Sequence, residues 1–260
     1  MDADIKLIVA SKSGRSYLRS LYTTPPFRVI SVGQLHSDGA LYLMQMSTSP
    51  GVLSGDRYKI AITVEDNAHL QLKSQSYQRL YDMEESATQE MDITIGNSAH
   101  FSQVAHPIVP HRHSSFSSRS IVTLGENSSF LQSEIITCGR KYHGEEFEFR
   151  EFSNSVELYA GGVLRLKDRV WLCPASTPLL GMGLLEGSTH QGTLIYQTTE
   201  KVDIKSYIDI IYGELSSIEG VIFGISATHY PGFVLRALGD GGERLFNIFL
   251  RVQELLWSKK

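Results

Sequence analysis

Several absences narrow what this chain can do. Basic residues are not in excess: 24 Lys and Arg face 28 Asp and Glu, for a net charge of -4. A footprint for nucleic acid or an anionic membrane surface needs the opposite balance. Cysteine is scarce, with Cys138 and Cys173 the only two, each in an apolar run (IITCGR and VWLCP). They form no CxxC pair and lack the spacing of a structural zinc site. Two buried or half-buried thiols are expected, and nothing in the spacing supports a disulfide. No window approaches eighteen uninterrupted apolar residues, so no membrane-spanning helix is expected. The N-terminal MDADIKLIVA is acidic first and only briefly apolar, a poor signal peptide, so the expected compartment is the cytoplasm. The dipeptide Gly-Lys never occurs, which excludes the phosphate-cradling P-loop. Gly181, Gly183 and Gly187 miss the dinucleotide-binding spacing by one residue, and neither HExxH nor GxSxG is present. The chain carries no familiar enzyme signature.

What is present is strand alternation. In DRYKIAITVE, Tyr58, Ile60, Ile62 and Val64 share one face, while Arg57, Lys59, Thr63 and Glu65 share the other. The segments AHLQLKSQS, EMDITIG, AHFSQVAH, RSIVTLG, FLQSEIITCG, EEFEFREF and VELYAGGVLRL read the same way. Asp-Asn, Gly-Asn, Gly-Glu-Asn and Gly-Gly separate them with turn chemistry. No long helical pattern intervenes, so no parallel βαβ rhythm is expected, and most of the first 175 residues form a large antiparallel or coiled β architecture. Near the C-terminus the period changes. VDIKSYIDIIYGEL places Ile204, Tyr207, Ile208, Ile211 and Leu215 at helical spacing behind Asp203 as N-cap. GERLFNIFLRVQELLW carries Leu245, Ile248, Phe249, Val252, Leu255 and Leu256 on one stripe. Such a stripe packs a core in the ordinary case; in the sharper reading it binds a partner through Phe249 and Leu256. No internal repeat and no linker is visible. The expectation is a single domain over 1–260, with a β-rich body over 1–190 and an α/β portion over 191–260 packed on it.

His111 and His113 could clamp a metal from alternate strand positions, but Pro107, Pro110 and a Ser-rich stretch around them favour an exposed loop. His190 and His229 sit in similar Thr-His contexts and read as turn histidines held by backbone. The carboxylates say more. Asp56 precedes the inward face of its strand, Glu145 shares a face with Phe147 and Phe149, and Glu134 sits with Ile136 and Cys138. A carboxylate on an inward face needs a cation, a donor or water. A structural ion pair, with Arg57 or Arg140 as partner, is one reading. The other is a wet interior that handles a cation, where carboxylates and histidines give weak, exchangeable ligation of a borderline divalent ion.

Five stretches, in order, resemble the urease accessory protein family UreD (UreH in some organisms). They are SPGVLSGDRYKIAITVEDNAHLQLKSQSYQRLY, HFSQVAHPIVPHRHSSF, SEIITCGRKYHGEEFEF, GMGLLEGSTHQGTLIY and FGISATHYPGFVLRALGDGGERLFNIFLRVQELLW. Together they span roughly residues 5–257. The departures are Val52 and Leu53 where the family often continues a glycine run, and His111 and His113 where relatives commonly carry other residues. The resemblance implies a mainly β fold, a coiled β tube with two C-terminal α-helices. It implies a non-catalytic role in maturing urease, whose active site holds two nickel ions bridged by a carbamylated lysine. The partners implied are a UreF-type protein, a UreG-type GTPase recruited through it, and apo-urease. The ion implied is transient Ni²⁺ rather than a resident cofactor, passing an interior lined by Asp56, Glu134, Glu145 and His190. Two other classes remain open on the residues alone: a β-helical enzyme acting on a polysaccharide, and an interaction module whose carboxylates only form ion pairs.

Overall fold

The computed structural model describes residues 1–32 and 37–258. Its centre is a coil of strands that alternate between two facing sheets. β5 (Arg57–Val64), β8 (Ala87–Ile95) and β11 (Ser115–Leu124) lie in the first sheet; each turns tightly into β6 (His69–Ser74), β9 (His100–Val104) or β12 (Ser129–Thr137) in the second. Successive rungs pair in parallel within each sheet. Short strands β7 (Gln78–Leu80) and β10 (Ile108–Pro110) pair in parallel along a third side. The rungs are parallel without intervening helices, because each return path is another strand or loop.

Antiparallel pairs close the edges. In the first sheet, β1 (Asp2–Lys12) runs parallel to β5 and pairs antiparallel with β2 (Arg15–Thr23). At the far side β13 (Glu151–Ala160) follows β11 in parallel and turns at Gly161 and Gly162 into β14 (Val163–Leu172). In the second sheet, β3 (Phe27–Ser31) pairs with β4 (Leu41–Ser47), which runs parallel to β6. Beyond β12 come β15 (His190–Thr198), β17 (Gly232–Gly239) and β16 (Val221–Ala227), all antiparallel.

The tight turns stack as a ladder, which shows an internal repeat that was not legible as residue identity. Asn67, Ser98 and Asn127 take the same left-handed backbone, at φ +59°, +52° and +50°, a conformation Asn tolerates better than most residues. Asp66 Oδ1 accepts the Asn97 N–H at 2.7 Å, and Asn97 Oδ1 accepts the Glu126 N–H at 2.9 Å. The backbone approach is close enough to need glycine: a Cβ at Gly96 would lie 2.4 Å from Asp66 Oδ1.

Helix α1 (Ile204–Leu215) starts where Asp203 accepts the Lys205 N–H at 3.0 Å. Helix α2 (Gly242–Trp257) lays its stripe on the second sheet. Phe249 is fully buried, so close to Gly192 on β15 that a Cβ there would meet the ring at 2.7 Å. Leu256 is buried as well. The stripe is core. The segment EEFEFREF departs from the expected strand: β13 begins only at Glu151, and Glu145 to Arg150 form a loop with Phe147 at φ +56°. Its alternation reflects Phe149 tucked under the coil rather than a pleated face. His111 also departs from expectation: it is buried, while Arg112 and His113 are exposed.

Candidate functional site

Strand register arranges the interior in rows. In the first sheet Val64, Ile95, Leu124 and Ala160 align, then Ile62, Ile93, Val122 and Leu158, both rows apolar. The next two are mixed: Ile60, Met91, Ser120 and Val156, then Tyr58, Gln89, Ser118 and Asn154. Across the gap, the second sheet contributes Gln103 and Gln132 side by side, then Glu134 opposite Thr193. Two apolar rows therefore give way to a polar waist between the sheets.

A cavity of about 110 Å³ occupies this waist, walled by amides and hydroxyls with Met91, Val156 and Ile195 among them. It abuts a second of about 120 Å³ under the Ser49–Val52 turn; the two share Gln45, Ser74, Gln78 and Gln89. Gln132 Nε2 donates to Gln103 Oε1 at 3.2 Å, and Ser118 donates to Asn154 Oδ1 at 2.7 Å. Several polar groups around one space of this size make a place for water.

Glu134 and Asp168 line the cavity. Arg236 pairs with Asp168 and donates to Thr193 Oγ1 at 3.0 Å. Glu134 is half-buried on the cavity wall and has no such cation in contact among the described residues. Burial pushes its carboxyl up to about 8, with Asp168 adding to the rise while Asn154 and the more distant Arg236 oppose it. It holds its proton near neutrality, and a cation entering the cavity would compete for the same oxygens.

A coiled β body with two C-terminal helices is the architecture the five motifs imply, and whole-chain comparison decides the family. The model of the family described as "UreD urease accessory protein" matches residues 1–259. This chain belongs to the UreD family. It is 43% identical to urease accessory protein UreD of Flavobacterium johnsoniae over 253 residues, covering 97% of this chain and 91% of that protein. It is 34% identical to UreD of Acetivibrio thermocellus over 245 residues, covering 94% and 93%. It is 31% identical to UreD of Haemophilus influenzae over 259 residues, covering 95% and 96%.

Within this UreD chain the residues singled out from sequence fall in separate places. Asp56 is buried, accepting the Leu53 N–H at 2.8 Å, the Tyr58 hydroxyl at 2.7 Å and the N-terminal ammonium at 3.0 Å. Burial disfavours its charge, but those three donors outweigh it and hold the carboxyl below its ordinary value. Its partner is not Arg57, which points outward and meets Asp2 at 3.4 Å. Asp56 thus ties down the turn over the second cavity without lining either. Glu145 is gripped by Arg140 through two hydrogen bonds, one of 2.8 Å, and accepts the Arg112 N–H at 3.3 Å. The Arg140 guanidinium overcomes burial and holds it at about 2. His190 opens β15 with Nδ1 2.8 Å from Thr189 Oγ1; burial lowers its pKa and Asp240 opposes that. Only Glu134 faces the cavity. Among the described residues, no group of three or more His, Cys, Asp or Glu is placed to hold a metal ion.

Sequence reasoning missed Asp168, Gln89, Gln103, Gln132 and Asn154. A signal was available for part of the set. Gln89 interrupts the alternating Met91, Ile93 and Ile95, and Ser118 and Ser120 interrupt Phe116, Val122 and Leu124. Polar residues at inward positions mark a polar interior. Asp168 had no such mark, because β14 is exposed along most of its length.

Proposed function

We propose that this chain acts in urease maturation as a non-catalytic scaffold. In this reading it binds a UreF-type protein, through which a UreG-type GTPase joins, and the assembly meets apo-urease in the cytoplasm. Nickel is cargo, crossing the polar waist between the two sheets. The observation that carries the reading is the amide- and hydroxyl-lined cavity with Glu134 on its wall. Removing water from a dication is costly unless other oxygens replace it. Side-chain carbonyls, hydroxyls and a single unpaired carboxyl supply such oxygens without the grip of a thiolate or multi-histidine set. Family membership supports the maturation role. No described helix is long and apolar enough to cross a membrane.

The test is complementation. The chain is expressed with a urease operon lacking only its UreD-type gene, and urease is assayed for nickel and for urea hydrolysis. Rescue is expected, with a UreF-type protein co-purifying. Glu134→Gln should retain that partner and load less nickel. A wild-type chain that neither rescues nor captures the partner refutes the maturation role. A Glu134→Gln chain that loads urease fully refutes the route past Glu134 alone.

A further inference from the structure

A second concavity lies outside the waist, between β7, the loop after β10, the 3-10 turn at Lys141–His143, and the start of α2. It is open and measures about 620 Å³. We infer that this cleft binds a phosphate-type oxyanion.

Three independent sets of donors converge on it. The first is cationic. Arg79 is exposed at the rim and makes no ion pair among the described residues; Lys141 has only a loose 3.9 Å approach to Glu146. Arg140 adds a third cation, anchored in place by Glu145.

The second is the N-terminus of α2. Gly241 caps it without a side-chain hydrogen bond. The N–H groups of Gly242, Glu243 and Arg244 have no acceptor among the described residues. Gly241 to Glu243 line the cleft. An uncapped helix start of this length presents aligned donors and a partial positive charge.

The third is His111, and it separates a built site from a bare helix end. Only 6% of its surface is exposed, its ring meets Tyr81 edge-on at 4.8 Å, and it lines the cleft. Neither ring nitrogen has a hydrogen-bond partner among the described residues, neither is fully sealed, and the residue lines the cleft. A buried imidazole left unpaired is unfavourable unless something in the cavity satisfies it. Burial and the nearby Arg140, Arg79 and His143 oppose its protonation, against a smaller pull from Glu145. It therefore stands as a neutral ring with one N–H to donate.

The acids on the wall are already engaged. Asp240 accepts the Thr189 N–H and hydroxyl, both at 3.0 Å, and Glu243 accepts from Tyr77 at 3.4 Å. A cation here would face Arg79, Arg140, Lys141 and the positive end of α2. An anion meets donors from three elements, and the two carboxylates on the wall are turned to Thr189 and Tyr77. Donors from three separate elements suit a tetrahedral oxyanion, whose oxygens point in several directions at once, better than a planar carboxylate with two.

The test uses the full chain and inorganic phosphate, against sodium chloride at equal ionic strength. Ring ¹⁵N resonances of the histidines are followed, with His111 assigned from His111→Gln, and affinity is measured by calorimetry. Phosphate is expected to shift the His111 resonances and to bind. Arg79→Gln, a change at an unpaired surface residue that leaves folding intact, should weaken binding about tenfold, the loss of one charge-assisted contact. An unmoved His111, an equal response to chloride, or equal binding by Arg79→Gln would mean an adventitious ion only and overturn the assignment. Acetate binding as tightly as phosphate would overturn the choice of phosphate.

Discussion

Replacing Glu134 by glutamine tests the interior directly. A carboxyl held at about 8 in the fold rather than at its ordinary 4.5 binds its proton more tightly folded than unfolded. Stability is then full below the unfolded value, falls as pH rises above it, and stops falling beyond the folded value. At about 1.4 kcal/mol per pH unit, that gap corresponds to on the order of 5 kcal/mol between pH 4 and pH 9. Glutamine keeps the shape and removes the ionisation. Urea unfolding from pH 5 to pH 9, followed by far-ultraviolet circular dichroism, should show the wild-type curve falling relative to Glu134→Gln by several kcal/mol. The variant should be the more stable of the two at pH 8. If the curves run parallel through the window, Glu134 is not a desolvated acid, and the argument for a carboxyl in the polar waist that yields its proton to a cation fails.

Two further outcomes follow from other parts of the molecule. Phe249→Ala empties a fully buried site between α2 and β15 and should cost about 3–5 kcal/mol in urea unfolding; a loss below about 1 kcal/mol would mean that α2 is not fixed to the sheet as described. Glu145, held at about 2 by Arg140, contributes stability that is present above its ordinary value and lost as pH falls toward 2. Arg140→Gln should flatten that part of the acid-unfolding profile, and an unchanged profile would show that the pair contributes nothing.

The strands and both helices were legible because burial writes itself as a period: two in β5, 3.6 in α2. Their arrangement was less so. Parallel rungs need long return paths, and a reader looking for helices in those paths finds none, since β6, β7 and the loops do that work. The repeat at Asn67, Ser98 and Asn127, about thirty residues apart, rests on backbone conformation shared by Asn and Ser, so a comparison of side chains passes over it. Among the carboxylates, Glu134 lines the cavity and Glu145 is buried, but Glu145 sits in a loop that mimics a strand. Arg140, the partner of Glu145, was among the candidates; what satisfies the other two was hidden, because Asp56 is answered by its own turn and its strand-mate Tyr58, while Arg236, near Glu134, comes from a strand far away in sequence.

The stacked turns also govern how the protein is made. β5 can pair with β1 at once, but finds its second parallel neighbour only when β8 has been synthesised, and β8 must wait for β11. The second sheet is completed only when β15 and β17 arrive. Loop closure of this kind is paid before its contacts are gained, so such topologies fold slowly. Until β14 and β16 cover the growing ends, each new rung shows an unpaired backbone edge of the kind that templates association with another chain. Yield during expression should therefore respond to temperature and translation rate more than to the stability of the finished coil.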